Sequence, residues 1–229
     1  MEYEVINGVI NRSVLSGHEF NDLFPVSNCE IIKTSDGKGC VGIREVITWS
    51  RKYISDTDHV SELFVSDSLK NTCNLIQDFL YSHIQYSYND VNNIKSPACV
   101  WASRKADCKS FSVFASTVLL NLGIKHYFRA VNYEGEGEHI YVVIPKNQEF
   151  PLLNEYSKFN EDYYIIDGTT NDYKERKYDL KRAEVLMNPN DLESELLRCV
   201  DDRKPNYIAI GLTILATILL FSLTTESQN

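Results

Sequence analysis

Lys105-Ala106-Asp107-Cys108-Lys109-Ser110-Phe111 opens the stretch that decides the fold. A polar turn there runs straight into an apolar segment of helical period. Phe111, Phe114, Ala115, Val118, Leu119 and Leu122 fall on one stripe, and Gly123 is placed as the C-terminal cap. The spacing predicts a helix over residues 107–121 that carries a thiol in its first turn, at the positive end of the helix. Farther along, His139 opens the strand-like run His-Ile-Tyr-Val-Val-Ile, and Asp167 closes the run Tyr-Tyr-Ile-Ile-Asp. Cys, His and Asp at the edges of regular elements are the parts of an activated thiol nucleophile.

The flanks supply the remaining elements. Residues 127–132, 139–144 and 163–167 are rich in Tyr, Val and Ile and are bounded by turn residues, so they read as strands. Glu134-Gly135-Glu136-Gly137-Glu138 between the first two reads as a hairpin turn. Upstream, Leu69, Cys73, Ile76, Phe79, Leu80, His83 and Ile84 recur at three and four residues. That period predicts a helix over 66–84 with Ser66 or Asp67 as N-cap, after a shorter helix over 44–54. Residues 1–44 read as irregular or short-strand structure, and 85–105 as a long connection with a break at Ser96-Pro97. Residues 145–162 form a polar excursion suited to a lid or substrate wall, and a short amphipathic helix is expected near 191–200. A helix before an antiparallel sheet makes the core α+β.

At 229 residues the chain has room for one principal domain with appendages. A net charge of -9 without a Lys and Arg cluster excludes a nucleic-acid-binding surface. The six cysteines, Cys29, Cys40, Cys73, Cys99, Cys108 and Cys199, contain no CxxC pair. Met1-Glu2-Tyr3-Glu4 carries acid where a secretory signal carries base. Both features point to a reducing compartment without a disulfide framework. His18, His59, Cys29 and Cys40 lack metal-ligand spacing, so neither metal nor cofactor is expected. His83 reads as a packed histidine on its apolar helix face, and His126, after the Gly123 cap, as exposed.

The last feature is the uncharged run of seventeen residues from 207 to 223, beginning at Tyr207 and closing at Leu223, with only six polar residues beyond it. As a helix it spans roughly 25 Å, a little under the hydrocarbon core of about 30 Å. It is apolar around its whole circumference, so it predicts a C-terminal membrane anchor, the other use being a helix buried in an assembly. Arg203 and Lys204 before it would keep the catalytic domain on the cytoplasmic side.

A helix N-terminus and a neighbouring imidazole both favour a thiolate. His139 would then protonate a leaving amine, and Asp167 would hold the imidazole in the productive tautomer. Each residue also has a plainer use: a small buried Cys, a core His, a turn-forming Asp before Gly-Thr. The backbone N–H of Cys108 is one oxyanion donor, and Gln85 or the indole N–H of Trp101 is a candidate second; Trp101 serves equally well as core packing.

Ile84-Gln85-Tyr86, Lys95-Ser96-Pro97, Ala106-Asp107-Cys108-Lys109-Ser110, Asn121-Leu122-Gly123-Ile124, Glu138-His139-Ile140-Tyr141-Val142 and Ile166-Asp167-Gly168-Thr169 together resemble the transglutaminase-like cysteine proteins of the papain-like fold group. The resemblance runs over about residues 56–170 and is greatest to the small versions of bacteria and their tailed phages. It implies a triad of Cys108, His139 and Asp167. The sequence departs from that family at Ala106, where Gly is common, and in the excursion 145–162. Ala106 is compatible with the pattern if its φ stays negative. The chain then divides into an N-terminal extension (1–55), a catalytic core (56–172), a charged linker with a short helix (173–204) and the hydrophobic segment (205–229).

The function expected is that of a thiol-dependent acyl-group enzyme acting on amide bonds of a protein or peptide. It would be a peptidase, amidase or deamidase if water resolves the thioester, and a cross-linking enzyme if a Lys amine does. The alternative is a non-catalytic structural or assembly protein, such as a virion component, that keeps the fold and is held by residues 207–223. A redox sensor pairing Cys99 with Cys108 is a third reading.

Overall fold

The computed structural model describes residues 5–6, 9–10, 12–25, 28–34, 40–88, 93–134, 137–190 and 198–199. Its helices are α1 (Cys40–Lys52), α2 (Asp58–Ser61), α3 (Leu69–His83), α4 (Pro97–Ser103) and α5 (Cys108–Asn121). Three small strand pairs flank them. β1 (Val5–Ile6) runs antiparallel to β2 (Val9–Ile10), and β3 (Ile31–Lys33) antiparallel to β5 (Asn93–Lys95). β4 (Gln85–Tyr86) runs parallel to β6 (Lys105–Ala106).

The main sheet holds β7 (His126–Tyr133), β8 (Gly137–Pro145), β9 (Tyr163–Ile166), β10 (Leu180–Met187) and β11 (Arg198–Cys199). Their order is β11-β10-β7-β8-β9, with every neighbouring pair antiparallel. A mixed α and β architecture with an antiparallel sheet is therefore observed, as expected.

The helix that carries Cys108 is the centre of the described core. Residues 110–120 of α5 are all buried, because α1, α4 and β8 pack around it. Phe111, Phe114, Val118 and Leu119 contribute to that core about 1.5–3 kcal/mol each. Gly123, at φ +70°, ends the helix in the left-handed region, and the N–H of Ile124 returns to the Leu119 carbonyl at 2.8 Å. At the other end of the core, Ser68 rather than Ser66 or Asp67 caps α3. Its hydroxyl accepts from the Asn71 N–H at 3.2 Å, while Asp67 is engaged by the Ser66 hydroxyl and the Asn71 side chain.

Strand alternation divides the sheet's residues between two apolar layers. Phe128, Ala130, Ile140, Val142, Ile144, Ile166, Ala183, Val185 and Met187 join α5 in the principal core. Tyr127, Val131, Tyr141, Val143, Tyr163 and Ile165 form a second layer. Buried Arg129 lies near that layer, ion-paired to Glu175 and Glu184, and the Tyr141 hydroxyl donates to Glu175 at 2.5 Å. With all its partners present, this charged group is a satisfied structural network.

Several sequence expectations are corrected here. The excursion between His139 and Asp167 is not a lid: it joins the far ends of β8 and β9 at Pro145 and Tyr163. It starts six residues, about 20 Å along the strand, from His139. Its Leu153 and Phe159 pack on the second layer, and the Tyr127 hydroxyl donates to the Pro151 carbonyl at 2.6 Å. The Ser96-Pro97 break is the N-cap and first residue of α4, with the Ser96 hydroxyl accepting from the Cys99 N–H at 3.2 Å.

His126 is fully buried instead of exposed, because it opens a central strand. Its Nε2 lies 2.7 Å from the Ser116 hydroxyl and its Nδ1 3.0 Å from the Ile124 carbonyl. β10 occupies a stretch read as charged linker. Of the helix expected near 191–200, Arg198 and Cys199 instead form a strand against β10, and the remaining residues lie outside those described. Cys29 and Cys99 are joined in a disulfide, against the expectation of reduced cysteines. Among the described residues no helix is long and apolar enough to cross a membrane. The run 207–223 lies outside the described residues.

Candidate active site

Cys108 is the first residue of α5, and the residues before it set its direction. β6 lies against β4, with the Gln85 N–H donating to the Arg104 carbonyl at 2.8 Å and the Ser87 N–H to the Ala106 carbonyl at 2.9 Å. Ala106 is buried and is not among the residues of positive φ, so the family's glycine is dispensable here. Asp107 then caps the helix: its Oδ1 accepts from the Ser110 N–H at 2.8 Å and from the Ser110 hydroxyl at 2.7 Å. The Ser110 hydroxyl in turn accepts from the Lys95 N–H at 3.1 Å, which fastens β5 to the same turn. The sulfur is thereby held at the partially positive end of a buried helix.

His139, near the start of β8, meets Asp167, one residue past β9, with Nε2 2.7 Å from Oδ2. Both side chains are largely buried, at 15% and 12% exposure. Cys108 lies near enough to the imidazole to add to its basicity. With Nε2 turned to the carboxylate, Nδ1 is the nitrogen left for the thiol. Burial by itself would depress the basicity of His139. The charge and hydrogen bond of Asp167, with Cys108 nearby, outweigh that and hold the pKa well above the ordinary imidazole value. For Asp167 burial acts upward, but the charge and hydrogen bond of His139 and the bonds from Thr169 hold it below the usual carboxylate range. The Thr169 N–H and hydroxyl reach its Oδ1 at 3.1 and 2.7 Å. Asp167 thus forms the turn that Asp-Gly-Thr suggests and faces His139 as well.

Gly168 brings this turn down onto α5. A Cβ at that position would lie 2.5 Å from Cδ1 of Phe111, an approach that only glycine permits. The three residues singled out from sequence are therefore brought together by α5, β8 and the turn after β9.

The oxyanion candidates fare differently. Trp101 does not serve the site. Its indole N–H donates to Asn21 Oδ1 at 3.1 Å, and its ring is stacked with Phe24 and Phe79 at 4.4 and 5.4 Å in the core. Gln85 stands beside Lys105 in the strand pair leading to Cys108, and its neighbour Tyr86 projects to the opposite face of β4. Tyr86 was not singled out as a site residue. Burial, then the charges of Cys108, Asp107 and Asp167, push its phenol pKa up, so this hydroxyl stays protonated within electrostatic reach of the sulfur. No local feature of the sequence marks it as a site residue. Around His139 lie the rings of Tyr133 and Tyr141, each 5.8 Å away. Among the described residues no group of three His, Cys, Asp or Glu side chains could hold a metal ion.

The family model for the transglutaminase-like domain matches residues 55–187, and the chain belongs to that family. None of the curated proteins matches the sequence. Among solved structures, LapG of Legionella pneumophila is similar at 13% identity and a TM-score of 0.44, over 87% of this chain and 94% of that one. Its calcium-bound form aligns at 10% identity and a TM-score of 0.43, over 76% and 98%. A structure described as a TGase gives 17% identity and a TM-score of 0.33, over 58% and 35%.

Proposed function

We propose that this protein is a thiol-dependent acyl-group enzyme that opens amide bonds of a protein or peptide substrate through Cys108, His139 and Asp167. The observation that carries the reading is the convergence of an imidazole on both a thiol at a helix N-terminus and a buried carboxylate. In the reaction the Cys108 sulfur adds to the amide carbonyl carbon and its proton resides on His139. His139 then gives that proton to the departing amine, and an acyl thioester remains on the sulfur. Water or a second amine attacks the thioester carbonyl with His139 as base, regenerating the thiol. Asp167 keeps the imidazole in one tautomer and stabilises it when charged. The backbone N–H of Cys108 supplies one oxyanion donor, and β4 the second, from Gln85 or Tyr86.

The raised basicity of His139 supports an imidazolium that persists above the ordinary histidine range. A charged imidazole beside a thiol favours attack by the sulfur as thiolate. Iodoacetamide alkylation tests this. Cys108 should react at pH 6 at least about tenfold faster than free glutathione. His139→Ala should remove most of that advantage, and Cys108→Ala should abolish the rapid phase. Alkylation of Cys108 no faster than glutathione overturns the proposal.

A further inference from the structure

Asp167 is useful only if its carboxylate stays beside His139, and the turn that carries it leaves the sheet immediately after Ile166. The residue that ties this turn down comes from α3. Gln77 is 1% exposed, and its single side-chain amide makes three hydrogen bonds to the turn. Its Oε1 accepts from the Asp167 N–H at 2.9 Å, and its Nε2 donates to the carbonyls of Thr170 at 3.2 Å and Asp172 at 3.1 Å. The next residue of α3 continues the contact, since Asp78 accepts from the Tyr173 hydroxyl. Arg12 of the N-terminal extension adds a donor to the intervening Gly168 carbonyl, at 3.2 Å, and another contact to the Ile84 carbonyl. Hence the backbone of Asp167 itself and the far limb of the turn both depend on Gln77.

We propose that Gln77 is the positioning residue of the site: its amide, clamped across residues 167 to 172, sets the carboxylate of Asp167 against the imidazole of His139. The inference rests on the triad reading above. Only a primary amide meets the demand, because one acceptor and two donors are needed at a single buried point. Glutamate would turn an oxygen toward two carbonyls, and an apolar side chain would leave an N–H and two carbonyls without partners. A displacement of about 1 Å at a catalytic group lowers rates by roughly a hundredfold, so a loosened turn is enough to uncouple the pair.

The test follows the His139 imidazole by NMR titration in Cys108→Ala protein, and iodoacetamide alkylation at pH 6 in protein that keeps Cys108. Asp167→Asn should move the His139 titration toward lower pH, because the carboxylate that raises it is gone. Gln77→Met, which keeps the bulk and removes the hydrogen bonds, should move it in the same direction. It should also slow alkylation by about tenfold to a hundredfold. Added to Asp167→Asn, it should produce no further shift.

Gln77→Asn, which withdraws the amide by roughly 1.5 Å, should give a smaller change of the same sign and serves where the methionine variant does not accumulate. A wild-type titration in both Gln77 variants, with a shifted one in Asp167→Asn, overturns the positioning role alone. An unshifted titration in Asp167→Asn overturns the triad reading and this inference with it. Equal effects of Gln77→Met with and without Asp167 also overturn it, since they make Gln77 a general support of the fold.

Discussion

A phenol beside a catalytic sulfur can assist acyl transfer without assisting alkylation, because only acyl transfer develops an oxyanion. Tyr86 is the residue to which this distinction applies. Its hydroxyl stays protonated under burial and the charges of Cys108, Asp107 and Asp167, so it is a donor at every pH of interest. Tyr86→Phe removes that donor and keeps the ring. The expected outcome is a loss of up to about a hundredfold in acylation of Cys108 by p-nitrophenyl acetate, with iodoacetamide alkylation essentially unchanged. Stopped-flow release of nitrophenolate measures the first, and mass spectrometry of the alkylated protein the second. Equal losses in both reactions would mean that Tyr86 shapes the thiol's surroundings instead of holding an oxyanion. Unchanged acylation would leave Gln85 as the remaining side chain of β4 for that role.

At the scale of elements, β7 carries a titratable group, His126, that stands apart from the candidate site. Buried His126 donates from Nδ1 to the Ile124 carbonyl, and in the neutral ring Nε2 accepts from the Ser116 hydroxyl. Burial lowers its pKa to about 4, against 6.5 for an exposed histidine. The folded state therefore disfavours the proton, and the stability this confers is fully present above pH 6.5 and is lost as pH falls toward 4. The difference corresponds to about 3 kcal/mol. Urea unfolding between pH 7 and 4 should show a steeper loss of stability for the wild type than for His126→Gln, which cannot titrate. Parallel curves would remove His126 from the acid sensitivity of the fold.

The same elements show what was legible beforehand. α5 and the strands β7, β8 and β9 were readable because each is long enough to display its period, and the three site residues stand at their ends. β10 was obscured because Lys181, Arg182 and Glu184 interrupt the alternation of Ala183, Val185 and Met187, whose inward direction becomes evident only beside β7. α4, with seven residues, is too short to show a period at all. Gln77 and Tyr86 were invisible as site residues for a different reason. Their roles depend on contacts with residues far along the chain, and a glutamine on a helix or a tyrosine on a strand has no local signature.

At the scale of the molecule, the N-terminal extension lies ahead of the family match, which begins at residue 55, and yet is built into the core. Phe24 stacks on Trp101, Asn21 accepts its indole N–H, and the Glu30 carbonyl accepts the Ser96 N–H at 2.9 Å. The covalent link is the disulfide of Cys29 and Cys99, across a sequence separation of 70. That separation concealed the pair from sequence reading, since neither cysteine has a close neighbour to suggest a bridge. Closing a loop of this length restricts the unfolded chain by about 4 kcal/mol at most, when the native state bears no compensating cost. Unfolding in urea with and without dithiothreitol should show a lower midpoint on reduction, and Cys29→Ser should reproduce that midpoint without the reductant. Because Cys73 is buried, with its thiol pushed up to about 12, the alkylation that accompanies reduction should appear at Cys29 and Cys99 in the folded protein. Identical midpoints in the two conditions would show that hydrogen bonds and stacking alone hold the extension to the rest of the fold.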